Sequence, residues 1–519
     1  MSNLSELVGG AGGGGKTAEF VASGTLASGK NVILNANGTV SLSAEFTATE
    51  AIPDGSQQST PSHTYTGIYC FLPDTPNKIV WLWVSGGSVM CNIGTVSGTT
   101  VTFSTEQNTG VAIGVTQLEA DPTQPNRVLW LGNNSSNYGC IASGIFVNGA
   151  MVWSTPVVIL SKINFQGQFS FDPATTTTSK FVITYTYRDY NPNNWAGACT
   201  AGYMALGNTA PTPTLGAQAI WRPSITSYPA GAISIGMRPD VAGSFVILYS
   251  ESGYSPASGY YSRGCSVTSG TGTSITLGTA VRQSGFGSGS TTAIKFDPNS
   301  TSGKFIVGYA YRPNSNAALA ARVGTVSGSS VSFGSEINVV MPPYDKNASL
   351  SSTMGISFQA NTGGIFSFVY HSWFSNSDTY RPRCRLGTYS GTTITLGTEV
   401  LLPSIAGGNG PQHAGDPNNP GFFVIRPPAN SAGVWACQMA VPVPNTNSTN
   451  YLGVTEEAIA SGATGKVTMI GGVASNLIGL TTNSDYYVQQ NGTVATAAAY
   501  PAVKIGKALS ATSINMEYE

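Results

Sequence analysis

Charged side chains are scarce in this sequence. They make up 9% of 519 residues, 23 basic against 24 acidic, for a formal net charge of −1, where soluble domains usually carry roughly 25%. A nucleic-acid-binding body needs a basic surface to displace counterions from phosphates; a pI near 6.3 provides none. Long apolar runs are missing as well. The longest, Ile79–Val84, has six residues against the roughly 18 or more of a membrane-crossing helix, so no membrane insertion is expected. The opening residues MSNLSELVGG lack the basic and apolar regions of a secretion signal, and no leader is expected. Histidine is nearly absent. His63, His371 and His413 fall in different repeats without visible partners for a metal. Glycine (63) and proline (29) are frequent, but short of the roughly 25–30% of low-complexity chains. With 10% aromatics and almost no net charge the chain folds.

One stretch recurs almost verbatim: CNIGTVSGTTVTFSTE from Cys91, ARVGTVSGSSVSFGSE from Ala321 and CRLGTYSGTTITLGTE from Cys384. The period-2 alternation on either side of an SG turn predicts a half-buried β-hairpin. Upstream, SFDPATTTTSKFVITYTYR ending at Arg188 and KFDPNSTSGKFIVGYAYR ending at Arg312 form a second shared unit, with an Asp-Pro corner as turn initiator. One repeat is therefore four strands in meander order, A to D. Its turn aspartate falls at Asp74, Asp121, Asp172, Asp240, Asp297 and Asp416, with Asn361 as stand-in. Strand C is expected to begin at Cys91, Cys140, Cys199, Cys265, Ala321, Cys384 and Cys437. Seven copies at a mean spacing of about 58 residues cannot each cover their own faces, so neighbouring sheets must stack and close radially. The expected fold is all-β: a seven-bladed β-propeller of four-stranded antiparallel blades over residues 60–445. An open β-solenoid is the weaker alternative. The seventh copy lacks a D strand, and NGTVSLSAEF (Asn37–Phe46) resembles one. The lead-in segment 17–50 is thus expected to close the last blade. Residues 1–16 read as a flexible attachment segment with a glycine joint, and 450–519 as a small C-terminal β-domain after a linker at 442–450.

Several motifs that look like chemistry are better read as structure. Gly10–Thr17 (GAGGGGKT) matches the phosphate-loop pattern, but no helical period follows it to supply the N-terminus that chemistry needs. Six cysteines at one strand position, exchanging with Ala321, indicate a small buried apolar residue rather than disulfides or metal ligands; Cys70 lies on strand A. Of the acids, six are turn aspartates, Glu45, Glu106, Glu336 and Glu399 share a D-strand position, and Asp189, Glu251, Asp345 and Asp378 lie in loops. No pair suited to acid–base hydrolysis stands out, and the SxDxGxTW box of sialidase propellers is absent. No catalytic residue, metal or cofactor is expected.

The B–C loops differ from the uniformly short C–D turns: they expand in blades 3 to 6, as RDYNPNNWAGA, ESGYSPASGYYSRG, YRPNSNAALA and HSWFSNSDTYRPR. Their Tyr, Trp, Ser, Asn and Arg are the composition of a binding surface, and also suit sugars. The candidate receptor-binding residues are Arg188, Tyr190 and Trp195 in blade 3, Tyr254, Tyr260 and Arg263 in blade 4, and Trp373, Tyr380 and Arg381 in blade 6.

In these features the sequence resembles the β-propeller tail-fibre proteins of tailed bacteriophages, especially those of aquatic bacteria. The resemblance rests on the lead-in SGTLASGKNVILNANGTVSL, the VGTVSGTTITFGTE-type hairpin and the closing GATGKVTMIGGVASNLIGLTTNSDYYVQQNGTV…VKIGKALSATSI. It implies a virion structural protein at the tail or particle surface, with no catalytic residues to carry over. It further implies other virion proteins as partners through the N-terminal segment, a host cell-surface glycan or protein as ligand, and a homo-oligomer, by analogy a trimer. A head decoration protein, a lectin-like propeller outside a virion and a propeller glycosidase are the competing readings.

Overall fold

A computed structural model of the chain describes residues 16–46 except 36 and 44. It also describes 67–517 except 74, 76, 98–99, 125, 163–164, 176–177, 189–194, 208, 226–232, 252–258, 268–271, 284–291, 312–317, 341–353, 360–363, 373–380, 398, 402–411, 416–421, 427–434, 439–442, 445–449, 490–491 and 497–502. All the regular elements among these residues are β-strands.

Seven antiparallel sheets follow one another along the chain. Their first strands, the A strands, are Gly67–Phe71, Gln117–Ala120, Gln166–Phe171, Ile233–Met237, Thr292–Phe296, Met354–Phe358 and Gln412–Gly415. In every sheet A pairs with B and B with C, and in the first six C pairs with D. Each A strand touches the A strand of the next sheet, and Gln412–Gly415 touches Gly67–Phe71. This is the β-propeller order that the repeat requires.

Period-2 alternation does more here than separate inside from outside. In Arg127–Asn133, strand B of blade 2, Val128 and Trp130 pack with Leu82 and Cys91 of blade 1. The intervening Leu129 and Leu131 pack with Phe169 and Phe181 of blade 3. Alternate residues thus serve two different inter-blade cores, which is why B strands read as unbroken apolar runs. The glycine of the repeated GT(V/Y)SG motif has a packing reason as well. A Cβ at Gly324 would lie 2.0 Å from the Phe305 ring, and one at Gly387 2.5 Å from Phe366.

Strand register corrects the cysteine alignment. Cys91, Cys199, Ala321 and Cys384 do share one position, three residues along from the first aromatic or aliphatic pair of strand B. Cys265 and Cys437 instead sit opposite Phe245 and Phe423, where the other blades place glycine. Cys140 is one residue out, opposite Gly132. The described cysteines are all free and buried, and burial pushes the thiols of Cys91 and Cys199 up and that of Cys265 to about 11. They are packing residues, not nucleophiles.

Of the segment 37–46 expected to close the seventh blade, Val40–Leu42 joins another sheet. Val40–Leu42 pairs with Asn31–Leu34, in a sheet with Thr17–Val21, Tyr451–Thr455 and Thr464–Met469. Glu45–Phe46 pairs with Val443–Pro444, and the seventh sheet has three strands among the described residues. An alternating polar and β-branched segment fits any half-buried sheet edge. Here the turn at Asn35–Thr39, with Gly38 at φ +80°, offers it a partner a few residues away, and a short loop closes at the smallest entropic cost. Val32 and Val40 are fully buried against Leu452 and Val467. The lead-in therefore belongs with the C-terminal strands in one compact unit, separate from the unit that holds the seven sheets. A second sheet of that unit, including Asp485–Val488, Lys504–Ala508 and Ile514–Met516, shares a core with Tyr451 and Val454 of the first. Residues 1–15, with most of the phosphate-loop match and most of the attachment segment, lie outside the described residues.

Candidate functional site: an inter-blade cleft at the B–C loop end

Antiparallel order places the A–B and C–D turns at one rim of the ring and the B–C loops at the other. At the turn rim several polar groups are engaged with the next blade, although Thr178 Oγ1 is buried there without a partner among the described residues. Asp172 accepts from Ala174 N (3.1 Å) and Thr175 Oγ1 (2.6 Å) in its own turn, and from Gly243 N (2.7 Å) in the A–B turn of blade 4. Asp297 accepts from Asn299 N (2.9 Å), and from Gly364 N (3.1 Å) and Tyr389 Oη (2.6 Å) of blade 6. Asp121 instead holds Arg127 Nε at 2.9 Å, both side chains fully buried. The rest of that guanidinium donates to Ala205 O (2.7 Å) and Ser179 Oγ of blade 3. In blade 4 the aspartate is displaced: Arg238 follows the strand, donates to Asp240 Oδ1 (2.9 Å) and reaches Val326 O of blade 5 (3.2 Å). The recurring turn aspartates are inter-blade clasps. Asp74, Asn361 and Asp416 lie outside the described residues.

The inner strands carry a residue that the sequence reading passed over. Glu119 on strand A of blade 2 meets Lys295 on strand A of blade 5 at 3.4 Å, so the pair bridges the interior of the ring. Gln117 Nε2 also donates to Glu119 (3.0 Å). Glu119 is the one acid among the residues of the seven A strands. Its signal was available: it stands two residues before the turn aspartate, at an inward position of strand A.

Of the nine candidate receptor residues, two come together in a cleft. Arg188 and Trp195 are partners in register at the ends of strands B and C of blade 3. They line a cleft of about 660 Å³ with Thr116, Asn133, Asn137, Phe165, Gln166 and Gly167. Blade 2 supplies one wall. The turn after its strand B is held by Asn134 Oδ1, which accepts from Ser136 N and Tyr138 N, each at 3.0 Å, with Asn137 at φ +59°. The floor is the Phe165 ring, seated where Gly139 and Gly167 have no side chain; a Cβ on either would come within 2.7 Å of it. Asn133 Nδ2 donates to Phe165 O (3.3 Å), while its Oδ1, like Arg188 Nε, is buried without a hydrogen-bond partner among the described residues.

The structure gives Arg263 a different task. It donates to Gly278 O (3.2 Å), and to Trp221 O (2.9 Å) on the outer strand of blade 3. Arg385 holds the equivalent register and donates to Val339 O of blade 5 (2.8 Å). Arg322 shares that register and instead bonds Tyr309 Oη (2.9 Å) and Glu336 (3.1 Å) within its own blade. Two of the three arginines at this strand position thus clasp a carbonyl of the neighbouring blade. Tyr260 and Arg381 begin their C strands, opposite Ser250 and Ser372. Tyr190, Tyr254, Trp373 and Tyr380 lie outside the described residues.

No protein-family model matches this sequence, and no curated protein does. Among solved structures the chain is similar to the WD40 domain of Toxoplasma gondii coronin, at 10% identity over 81% of this chain and 90% of that one, with a TM-score of 0.43. It is also similar to Sqt1 from Chaetomium thermophilum (9% identity, 75% and 100% covered, TM-score 0.40). A third similarity is to exo-β-1,3-galactanase from Phanerochaete chrysosporium (11%, 80% and 100%, 0.27). Likenesses this distant assign no activity to the chain.

Proposed function

We propose that the chain is a non-enzymatic structural component of a bacteriophage virion, a tail fibre or related adsorption protein. In this reading a seven-bladed propeller presents its B–C loop rim to the host surface. The observation that carries the binding role is the cleft at that rim, where Arg188 and Trp195 meet a wall of neutral amide and hydroxyl groups. Along the inner strands the one acid among the described residues, Glu119, is paired with Lys295. Placement on a virion is supported by the sequence resemblance alone. So are attachment through residues 1–16 and assembly as a homo-oligomer, which would multiply weak single contacts into avidity.

Two measurements test this. Mass spectrometry of purified particles should find the protein; its absence would remove the virion role and leave a lectin-like propeller acting elsewhere. In host-cell binding by the purified full-length protein, Tyr190→Ala, Tyr254→Ala and Trp373→Ala should weaken attachment. Each anchor is expected to contribute about 2 kcal/mol, roughly thirtyfold in affinity. Matched changes at Ser97 and Ser390 on the opposite rim should leave it intact. Loss at the serines with the loop variants unaffected would assign binding to the other rim.

A further inference from the structure

We propose that the cleft between blades 2 and 3 binds a carboxylate-bearing sugar residue of an acidic polysaccharide. This rests on the reading of the B–C loop rim as the binding surface, and adds to it the class of ligand. Arg188 is the one ionisable group among the eight lining residues, and its buried Nε has no acceptor among the described residues. A guanidinium is always cationic, and a buried donor left unpaired costs about 1–3 kcal/mol or more. A planar carboxylate in the cleft offers the guanidinium two parallel acceptors.

The rest of the lining narrows the ligand from any anion to a sugar acid. Asn137 and Gln166 expose side-chain amides that both donate and accept, and Thr116, whose own hydroxyl donates to Leu131 O (2.8 Å), is left as an acceptor. Sulfate and fully ionised phosphate have no hydrogen to give these acceptors, whereas sugar hydroxyls donate and accept. Phe165 and Trp195 beneath them give an apolar floor for the C–H face of a sugar ring. The volume of about 660 Å³ lies within the roughly 300–1,000 Å³ of small-ligand sites, enough for a few sugar units and too little for a protein surface.

The test is binding of the full-length protein to immobilised uronate- and sialate-containing oligosaccharides, each beside its carboxyl-reduced counterpart. At least one acidic member should bind, and carboxyl reduction should weaken it by about tenfold or more, the equivalent of one charge-assisted hydrogen bond. Arg188→Gln should lose a similar factor with no drop in melting temperature, with Arg188→Lys between the two. Asn137→Gly, which removes the amide while tolerating the positive φ, should also weaken binding. Equal binding of acidic and reduced sugars, indifference to Arg188→Gln, competition by inorganic sulfate at the sugar's own concentration, or no binding across the panel would each overturn the proposal. Should the reduced sugars bind equally while the loop variants still abolish cell attachment, this inference fails and the functional reading stands. If acidic sugars bind but particles lack the protein, the reverse holds.

Discussion

The two rims of the ring are built from the same residue types and use them in opposite ways. At the turn rim an arginine, Arg127, is fully buried, and donates to a buried aspartate and to two groups of the next blade. At the loop rim an arginine, Arg188, lies at a cleft with its Nε unsatisfied. Polar groups that stack one blade on the next have their partners already, so they hold the ring and offer nothing to a ligand. Groups left open at an indentation carry the cost of desolvation until something arrives to satisfy them. The proposed recognition at the second rim rests on that difference.

The sharpest way to break this comparison is to treat the two arginines alike. Arg127→Met leaves Asp121 charged and buried without its partner, and is expected to cost about 3–5 kcal/mol of stability, read as a lower urea midpoint. Arg188→Met removes a buried unpaired donor and should leave stability unchanged or raise it by up to about 1–3 kcal/mol. Equal losses would make Arg188 a clasp like Arg127. A smaller effect is expected at the blade 3–4 clasp. Asp172→Ala orphans Gly243 N–H and is expected to cost about 1–3 kcal/mol, checked by the same denaturation series. The smallest effect belongs to the ring interior. Glu119 and Lys295 are partly solvated, at 23% and 52% side-chain exposure, so Glu119→Gln should cost less than about 1 kcal/mol. A large loss there would make the interior pair a third structural clasp.

Much of the fold was legible in the residues because the repeat supplies the same evidence several times. The four-strand meander, the Asp-Pro corners and the tight SG turns form where the repeats put them in the described blades, but strand C begins earlier than its landmark residue, at Ser88, Gly139, Trp195, Gly259, Ala318, Arg381 and Trp435. Where copies diverge, reading by landmark slipped. Cys265 matches Cys384 in residue type yet sits three register positions away, opposite Phe245, since cysteine fits any small buried site along strand C. Of the candidate site, Arg188 and Trp195 were legible as the ends of a lengthened loop. Asn133 and Thr116 were not, because they belong to the neighbouring blade, and neither was Phe165, which precedes strand A of blade 3 with no loop signature.

The sequence by itself determined the all-β class, the strand order within each repeat and the stacking of one repeat on the next. Those follow from local turn chemistry and from a period of two that leaves apolar residues on both faces of each sheet. Which strand the segment Val40–Leu42 would join was decided only in the tertiary structure, because sheet edges are chemically alike and a nearby hairpin closes at least entropic cost. Which polar side chains would be engaged was decided there too. Whether Arg263 clasps a neighbouring outer strand and Arg188 opens onto a cleft depends on which backbone carbonyls the adjacent blade brings within about 3 Å, and that distance exists only once the blades have stacked.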